Sequence, residues 1–254
     1  MKLPKEYTFV EPIKRGNKTA AAKFVQEWLT LNGINVVIDK DFGGATELAV
    51  KKFQKNNNLP QTGIVDEKTF TTLIAPVLRA TSPVTLQVQG KTFGEAVLTV
   101  AKQHLKEHPI EVGKPNSGPW VRLYTRGNEG AEWYWCAGFV SYIYAQAAEA
   151  LGIQSPLNYT LSCDNLASQA TAKGLFVSEK NAAANKQGIA PGGIFLVRRS
   201  VGDWEHTGIV EHFINDKDGF DTIEGNTNDD GSRDGYEVCA RVRGYAGKDF
   251  IRLL

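Results

Sequence analysis

One cysteine of this chain is a candidate nucleophile, because it lies at the start of a predicted helix. Cys136 stands in EWYWCAGFVSYIYAQA, ahead of apolar residues that recur at helical spacing as far as Leu151, and Gly152 follows as a stop signal. This pattern predicts a helix that begins at about Cys136. The dipole and the free N–H groups of a helix N-terminus favour a thiolate, so the position suits a nucleophile. A buried core cysteine is the alternative, because free cysteine is among the most buried residue types.

A base for such a nucleophile is offered by one of the four histidines. His206 begins the predicted strand HTGIVEHF, where alternation places it on one face with Gly208, whose small size leaves space beside the imidazole. A later predicted strand carries Glu224 and Asn226 on one face. If the two strands are neighbours in an antiparallel hairpin, a carboxylate or amide there can accept a hydrogen bond from the imidazole and fix its tautomer. The alternative is that EGNTNDDG is only a polar turn.

The remaining histidines and cysteines give weaker signals. His104 and His108 stand four apart on a predicted helix, a spacing that can bind metal, but no third ligand is evident. Cys163 lies next to a predicted helix start and Cys239 lies within an alternating strand, and neither has an assignable base. Three cysteines without a CxxC pair argue against a disulfide framework and against a zinc site. We therefore expect no metal and no other cofactor.

The elements that must position these groups lie in the second part of the chain. Thr92 and Glu95 have capping-box spacing ahead of an amphipathic helix, and a further helix is predicted at CDNLASQATAKG. The segments GIFLVRR, HTGIVEHF, FDTIEG and GYEVCARVR are short, rich in branched and aromatic residues, and separated by turns such as NDKDG. Helices followed by an antiparallel sheet predict an α+β domain over residues 92–254.

The first part of the chain is predicted to be helical. Apolar residues recur with a period of about 3.6 in NKTAAAKFVQEWLTLNG, ATELAVKKFQKNNN and DEKTFTTLIAPVL. Asn17 or Thr19 is the N-cap candidate of the first helix, and Asp66 is that of the third. These helices predict a small three-helix bundle over residues 1–78. The segment RATSPVTLQVQGKT lacks a helical period, so we expect a linker at residues 79–91.

Composition gives no argument for binding nucleic acid or for insertion into a membrane. The 254 residues carry a formal net charge of +1, and 42% hydrophobic with 22% charged residues is ordinary for a soluble globular protein. No apolar run approaches the roughly 18 residues of a membrane span. The N-terminal MKLPKEYTFVEPIKRG lacks the apolar core of a signal peptide. We therefore expect synthesis in the cytosol, and we expect a monomer.

The helical part resembles a known binding module. The ordered residues of DKDFGGATELAVKKFQKNNNLPQTGIVDEKT, together with Val25 and Gln26 in the preceding helix, closely resemble the peptidoglycan-binding domain of the three-helix type. Lys40 stands where that family usually has glycine, and we expect an altered turn there because glycine tolerates positive φ and lysine does not. The resemblance implies binding to bacterial cell-wall polymer.

The second part, from about residue 93 to residue 254, resembles the CHAP family of cysteine- and histidine-dependent amidohydrolases and peptidases, within the NlpC/P60 superfamily. The segments EWYWCAGFVSYIYAQA, PGGIFLV, HTGIVEHF and TIEGNTN carry the resemblance, in that order. The resemblance implies a papain-like α+β fold with helices packed on an antiparallel sheet. It also implies roles for four residues: Cys136 as nucleophile, His206 as base, Glu224 as the group that orients the histidine, and Asn226 as a polar partner near the oxyanion site.

The tryptophans around the cysteine have two interpretations. Trp120, Trp133 and Trp135 either belong to the core or form groove walls that stack against sugar rings or lie along a peptide. We keep all three as candidate substrate-binding residues.

Together the two resemblances imply a two-domain peptidoglycan hydrolase that acts at the bacterial wall and cleaves an amide bond. Two bonds stay open: the link between the muramoyl lactyl group and L-alanine, and a bond within the stem or cross-bridge peptide. The non-enzymatic alternative is a wall-binding or structural protein whose hydrolase fold is degenerate.

Overall fold

The structure, a computed structural model, describes four stretches of the chain, residues 3–184, 189–213, 219–228 and 235–253. They form two compact units. We call the first of them the helical unit; it comprises Lys2–Arg79 and Ile110–Ala131. We call the second the sheet unit; it comprises Ala80–Pro109 and Glu132–Leu254. The first crossing between the units falls within the segment 79–91 that was predicted as a boundary. Residues 110–131, which were predicted to belong to the second domain, belong instead to the helical unit.

The described helices are short to medium in length. In chain order they are α1 (Ala20–Leu31), α2 (Gly44–Asn56), α3 (Glu67–Leu73), α4 (Ala75–Ala80), α5 (Thr85–Val88), α6 (Phe93–Lys106), α7 (Pro119–Tyr124), α8 (Cys136–Leu151), α9 (Cys163–Ala172) and α10 (Glu179–Ala184). The described strands are β1 (Phe176–Val177), β2 (Ile194–Ser200), β3 (Asp203–Phe213), β4 (Gly219–Thr227), β5 (Glu237–Gly244) and β6 (Lys248–Ile251). Within the described stretches, none of the helices has the length and hydrophobicity that a membrane-spanning segment requires.

The helical unit is built on α1, which packs against both α2 and α3. Its core is aromatic, with Trp28, Phe53 and Phe70 among the buried side chains. The helix starts follow the sequence: the Thr19 hydroxyl accepts from the N–H of residue 22, and the Asp66 carboxylate accepts from that of residue 69 at 2.8 Å. Such caps satisfy N–H groups that a helix leaves without partners in its first turn. Asp66 is therefore confirmed as a cap, and Thr19 rather than Asn17 caps the first helix.

Two buried glutamines hold the turns between these helices. The Gln26 side chain accepts from the backbone N–H groups of Asp39 and Lys40 at 3.1 and 3.0 Å. Gln54 accepts from the N–H of Gly63 at 2.9 Å in the next turn. Lys40 has a φ of 69°, so this lysine takes the left-handed conformation usual for glycine. The hydrogen bond that the Lys40 N–H donates to Gln26 helps to hold this conformation, at some cost in backbone strain.

The segment 110–131 is joined to the helical unit by a buried cation. The Arg122 guanidinium binds the carboxylates of Glu6 at 2.8 Å, Glu27 at 2.7 Å and Glu129 at 2.5 Å. Three carboxylates around one buried guanidinium offset the cost of removing that charge from water. Glu6 and Glu27 lie far from Arg122 in sequence, so no local pattern could reveal that this segment leaves the second domain.

The sheet unit contains one antiparallel sheet with the strand order β1-β6-β2-β3-β4-β5. Helix α8 packs on β3 and β4, α6 packs on α8, and α9 packs on β3. The predicted α+β class is therefore confirmed, with a helical bundle followed by helices on an antiparallel sheet. The strands β1 and β6 and the helix α10 were not predicted. The predicted turn NDKDG lies, apart from Gly219, outside the described residues.

The segment predicted as a linker contains secondary structure. Helix α4 ends at Ala80, inside the range 79–91, and the four-residue helix α5 follows in the same range. Val84 and Val88 are buried at the two ends of α5, so the range contributes to a core. Helices this short have too few residues for an apolar period to be visible in the sequence.

The strain at Lys40 gives a testable prediction. Replacing Lys40 with Gly should stabilise the protein by about 1 kcal/mol or less, because glycine adopts a positive φ freely but also loses more backbone entropy on folding. The measurement is the midpoint of urea unfolding of the full chain. Lys40→Ala is the control, since it removes the charged side chain but keeps the Cβ atom. An equal gain in Lys40→Ala would show that the side chain, not the backbone, is the cause.

Candidate active site

Cys136 is the first residue of α8 and is 5% exposed. The N-cap residue Trp135 makes no side-chain capping bond. The N–H groups of the first turn have no partner inside the helix, so they face the region around the thiol. The backbone N–H of Ala137 is one of the groups that stabilise the thiolate and lower the pKa of Cys136, after the larger effects of neighbouring side chains. The predicted helix start is therefore confirmed at the predicted residue.

His206 lies on β3 and is buried together with its carboxylate partner. Its Nε2 atom is 2.8 Å from Oε2 of Glu224 on β4, and Glu224 is fully buried. This bond leaves Nδ1 for Cys136. Nδ1 has no hydrogen bond of standard geometry within the described stretches. In catalytic pairs without substrate such bonds are often long and tighten only in the complex.

The protonation states of the two groups are set by their neighbours. Contact with the Cys163 thiol lowers the pKa of Cys136, burial opposes this, and the interaction with His206 helps to hold that pKa well below its ordinary range. Burial by itself would lower the pKa of His206, but Cys136 and Glu224 outweigh it and raise that pKa to about 9. Because the pKa of the thiol is lowered and that of the imidazole is raised, these neighbours favour the thiolate–imidazolium form of the pair.

Glu224 is held as a carboxylate by a residue that the sequence interpretation missed. Arg243 on β5 donates from Nε to Oε1 at 2.8 Å and from a terminal nitrogen to Oε2 at 2.6 Å. The Thr222 hydroxyl adds a bond to Oε1 at 2.6 Å. Burial would raise the pKa of Glu224, but Arg243 and His206 lower it to about 2. The buried residues Cys136, His206 and Glu224 and the partly buried Arg243 thus form a row of alternating charges, called the charge row below.

Glycine at position 208 makes room for this row. A Cβ atom there would lie 2.7 Å from Cγ of Glu224 and 2.7 Å from the ring of Phe195. Both distances are far shorter than a normal contact between carbon atoms. Gly208 therefore leaves space beside the imidazole, and the side chains of Glu224 and Phe195 occupy that space.

Asn226 is placed differently from its expected role. Its Oδ1 accepts from the backbone N–H of Trp135 at 2.9 Å, and its Nδ2 donates to the carbonyl of Gly235 at 2.7 Å. Both ends of the amide are thus engaged, and the residue is 1% exposed with a φ of 56°. These bonds use the amide oxygen and one of its two N–H groups, so the role of Asn226 as a polar partner near the oxyanion site stays a prediction. The same bonds connect the end of β4 to the residue that precedes the nucleophile, so Asn226 also acts as a positioning residue.

Two of the three candidate tryptophans are core residues. Trp120 is 2% exposed in the helical unit, with its ring centroid 5.9 Å from that of Trp28. Trp135 is fully buried in the sheet unit. Burial of both corrects the expectation that they line a substrate groove. Trp133 is partly exposed and stays a candidate for substrate contact.

Cys163 is the second residue that the sequence interpretation undervalued. It is the first residue of α9, and its Sγ lies 3.9 Å from Sγ of Cys136. The contact with Cys136, together with burial, raises the pKa of Cys163 well above its ordinary range. Its place at a helix start, after the Ser162 cap, is a signal that it shares with Cys136. Only the fold reveals that the two helix starts meet.

The other histidines have separate partners. His104 is buried with Nε2 3.0 Å from the Gln146 carbonyl oxygen, and burial lowers its pKa to about 4. His108 binds Glu237 at 2.5 Å. Within the described residues no group of three His, Cys, Asp or Glu side chains is arranged to hold a metal ion.

The charge row predicts the response of His206 to loss of its carboxylate. Glu224→Gln should lower the pKa of His206 below about 9, because the amide keeps a hydrogen-bond acceptor but removes the charge that stabilises the imidazolium. The imidazolium is then lost at lower pH. The measurement is an NMR titration of the His206 ring. Glu205→Gln, which removes the carboxylate next to His206 in sequence, is the control and should leave the titration unchanged. An unshifted pKa in Glu224→Gln would refute the assignment.

Gly208→Ala should disturb the same row by steric means. The added methyl group must displace Glu224 or Phe195, so we expect a loss of about 1–3 kcal/mol in stability and a lower pKa of His206. The measurements are the urea midpoint and the same NMR titration. Gly44→Ala is the matched control, because a Cβ atom there meets only the Arg15 side chain, at an ordinary 3.9 Å. Equal behaviour of the two variants would show that position 208 does not require glycine.

Comparison with known proteins supports one part of this picture. Residues 18–73 match the family model of a putative peptidoglycan binding domain, a range that covers α1, α2 and α3 and less than a quarter of the chain. No curated protein and no solved structure gives a significant match. The chain is therefore similar in this range to a cell-wall-binding module, which supports association of the protein with the peptidoglycan of the bacterial wall.

Proposed function

We propose that the protein is a peptidoglycan hydrolase that binds the wall through its helical unit and cleaves an amide bond with its sheet unit. The observation that carries the proposal is the charge row, in which a buried cysteine at a helix start, with a lowered pKa, is followed by a histidine bound to a buried carboxylate. Burying charged groups is costly unless each is paired. A fold kept only for binding does not need such a row, whereas nucleophilic catalysis does.

The first chemical step is attack by the thiolate. The Cys136 sulfur adds to the amide carbonyl carbon, and the negative charge moves to the carbonyl oxygen. The backbone N–H of Cys136, in the first turn of α8, is the group best placed to donate to this oxyanion. The position of Asn226 behind the nucleophile, bound to the N–H of Trp135, keeps this turn in place.

Proton transfers by His206 complete the cycle. The imidazolium donates its proton to the leaving amine as the carbon–nitrogen bond breaks, which leaves a thioester on Cys136 and a neutral imidazole. The imidazole then takes a proton from water, whose oxygen attacks the thioester. The carboxylic acid product leaves, and the thiolate and imidazolium are restored. Glu224 stabilises the imidazolium in each resting state, and Arg243 keeps Glu224 ionised.

The helical unit supplies the contact with the wall in this proposal. Its α1–α3 range is the part similar to a peptidoglycan-binding domain. A cavity of about 760 Å³ in the same unit is lined by residues of both charges, among them Lys23, Asp39 and Lys114. It does not contain the charge row, so we assign it to wall binding and not to catalysis. The scissile bond is either the muramoyl–L-alanine amide or a peptide bond of the stem or cross-bridge.

The second candidate function is wall binding without catalysis. The family match favours it, because that match covers only the binding module. The two functions differ in whether Cys136 attacks the substrate. Substitution of Cys136 therefore distinguishes them.

Cys136→Ala should abolish lysis of purified sacculi while the variant still sediments with them. The reason is that the thiolate is lost whereas the helical unit is untouched. Turbidity reports lysis, and mass spectrometry of the released fragments identifies the bond cut by the wild type. Cys239→Ala removes a thiol of β5 that lies outside the charge row and should keep most of the activity. Equal lysis by Cys136→Ala and the wild type would refute the mechanism, and an inactive wild type that still sediments would favour the binding function.

A further inference from the structure

We propose that Cys163 is a resolving cysteine, and that oxidation by a peroxide joins it to Cys136 in a reversible disulfide. The disulfide occupies the nucleophile, so it would switch off the hydrolase. That consequence rests on the proposed function, whereas formation of the disulfide does not.

The two thiols are close because two helix starts meet. Cys136 begins α8 and Cys163 begins α9, and their sulfur atoms are 3.9 Å apart. A disulfide needs a sulfur–sulfur distance of about 2.05 Å. The sulfurs therefore have roughly 2 Å to close, which lies within the range of side-chain rotation. The two cysteines are 5% and 7% exposed, so each retains some contact with solvent, and a small oxidant suits such a site better than a protein.

The two cysteines also differ in protonation, and reaction with a peroxide requires this difference. His206 and the Cys163 contact favour the thiolate of Cys136, and the thiolate is the form that peroxides oxidise. Cys163 stays protonated beside it, because the neighbouring Cys136 and burial disfavour a second anion. The Cys136 sulfur is thus in the form that a peroxide oxidises, and the protonated Cys163 sulfur is the partner that then forms the disulfide. Redox-sensing cysteines combine these features.

The chemistry balances with hydrogen peroxide as the oxidant. The Cys136 thiolate attacks one peroxide oxygen and the O–O bond breaks, which gives a sulfenic acid and, after protonation of the released hydroxide, one water. The Cys163 sulfur then attacks the sulfenic sulfur, its proton leaves with the hydroxyl group as a second water, and the S–S bond forms. Two thiols and one peroxide become one disulfide and two waters. Reduction by a dithiol returns both thiols.

The disulfide has a second, electrostatic signature. It removes the negative charge of Cys136, which is one of the interactions that raise the pKa of His206. The oxidised protein should therefore show a lower His206 pKa than the reduced protein, even though Glu224 is unchanged. A modification of Cys239 alone leaves Cys136 and Cys163 unoxidised and keeps the negative charge of Cys136, so it does not explain such a shift.

The test is mild oxidation of the full chain with hydrogen peroxide, followed by alkylation of remaining thiols and peptide mapping. We expect a linked Cys136–Cys163 peptide, loss of two hydrogen atoms from the intact mass, and loss of sacculus lysis that dithiothreitol restores. Cys163→Ser and Cys163→Ala should form no linked peptide, and their lysis should not recover once Cys136 is oxidised further. Cys239→Ser should behave as the wild type.

Several results separate this inference from the proposed function. Oxidation that only adds oxygen atoms to Cys136, or a disulfide between Cys136 and Cys239, overturns the inference. If the reduced protein is inactive but still forms a linked Cys136–Cys163 peptide, the result supports the disulfide and contradicts the proposed hydrolase function. Unimpaired lysis by a fully cross-linked protein contradicts the proposed nucleophile instead.

Discussion

The buried carboxylate of Glu224 is the interaction on which the candidate site depends. It is fully buried and binds His206, Arg243 and Thr222 with both oxygens. An isolated carboxylate in that place would take up a proton, because burial disfavours charge. Arg243 keeps it ionised, and the ionised form in turn keeps His206 protonated. The order of strands β3, β4 and β5 in the sheet is what brings the three side chains together. Gly208 completes the arrangement, since a larger residue there would occupy the space of the carboxylate.

The sequence predicted those parts of the site that follow from local patterns. Cys136 was found because an apolar period and a stop signal define the helix that it begins, and Glu224 was found because alternation along a strand is regular. Arg243 was missed because its partner lies on the neighbouring strand, and strand register is not visible in one sequence. Cys163 was undervalued for a similar reason, since its contact with Cys136 depends on where two helix starts meet. The bond from the Trp135 N–H to Asn226 was also not predictable, because it joins the end of a strand to a residue 91 positions earlier in the chain.

The division of the chain shows the same limit. The three helices of the binding module were predictable, and so were the caps at Thr19 and Asp66, because these signals act over a few residues. The position of segment 110–131 in the helical unit was not predictable, because the ion pairs of Arg122 join residues that lie far apart in sequence. In the proposed function, one chain that carries both a binding module and a hydrolase raises the local concentration of substrate at the nucleophile. The same nucleophile has a second neighbour in Cys163, so catalysis and oxidation compete for one thiolate.

If Cys136 rests as a thiolate beside an imidazolium, its reactivity must persist at low pH. The decisive measurement is the pH dependence of its alkylation by iodoacetamide, with labelling at each cysteine resolved by mass spectrometry. We expect Cys136 to react rapidly at a pH far below the ordinary cysteine pKa of about 8.5, while Cys163 stays nearly unreactive there. A Cys136 rate that rises only as the pH passes through that ordinary value would show that the resting form is the neutral thiol.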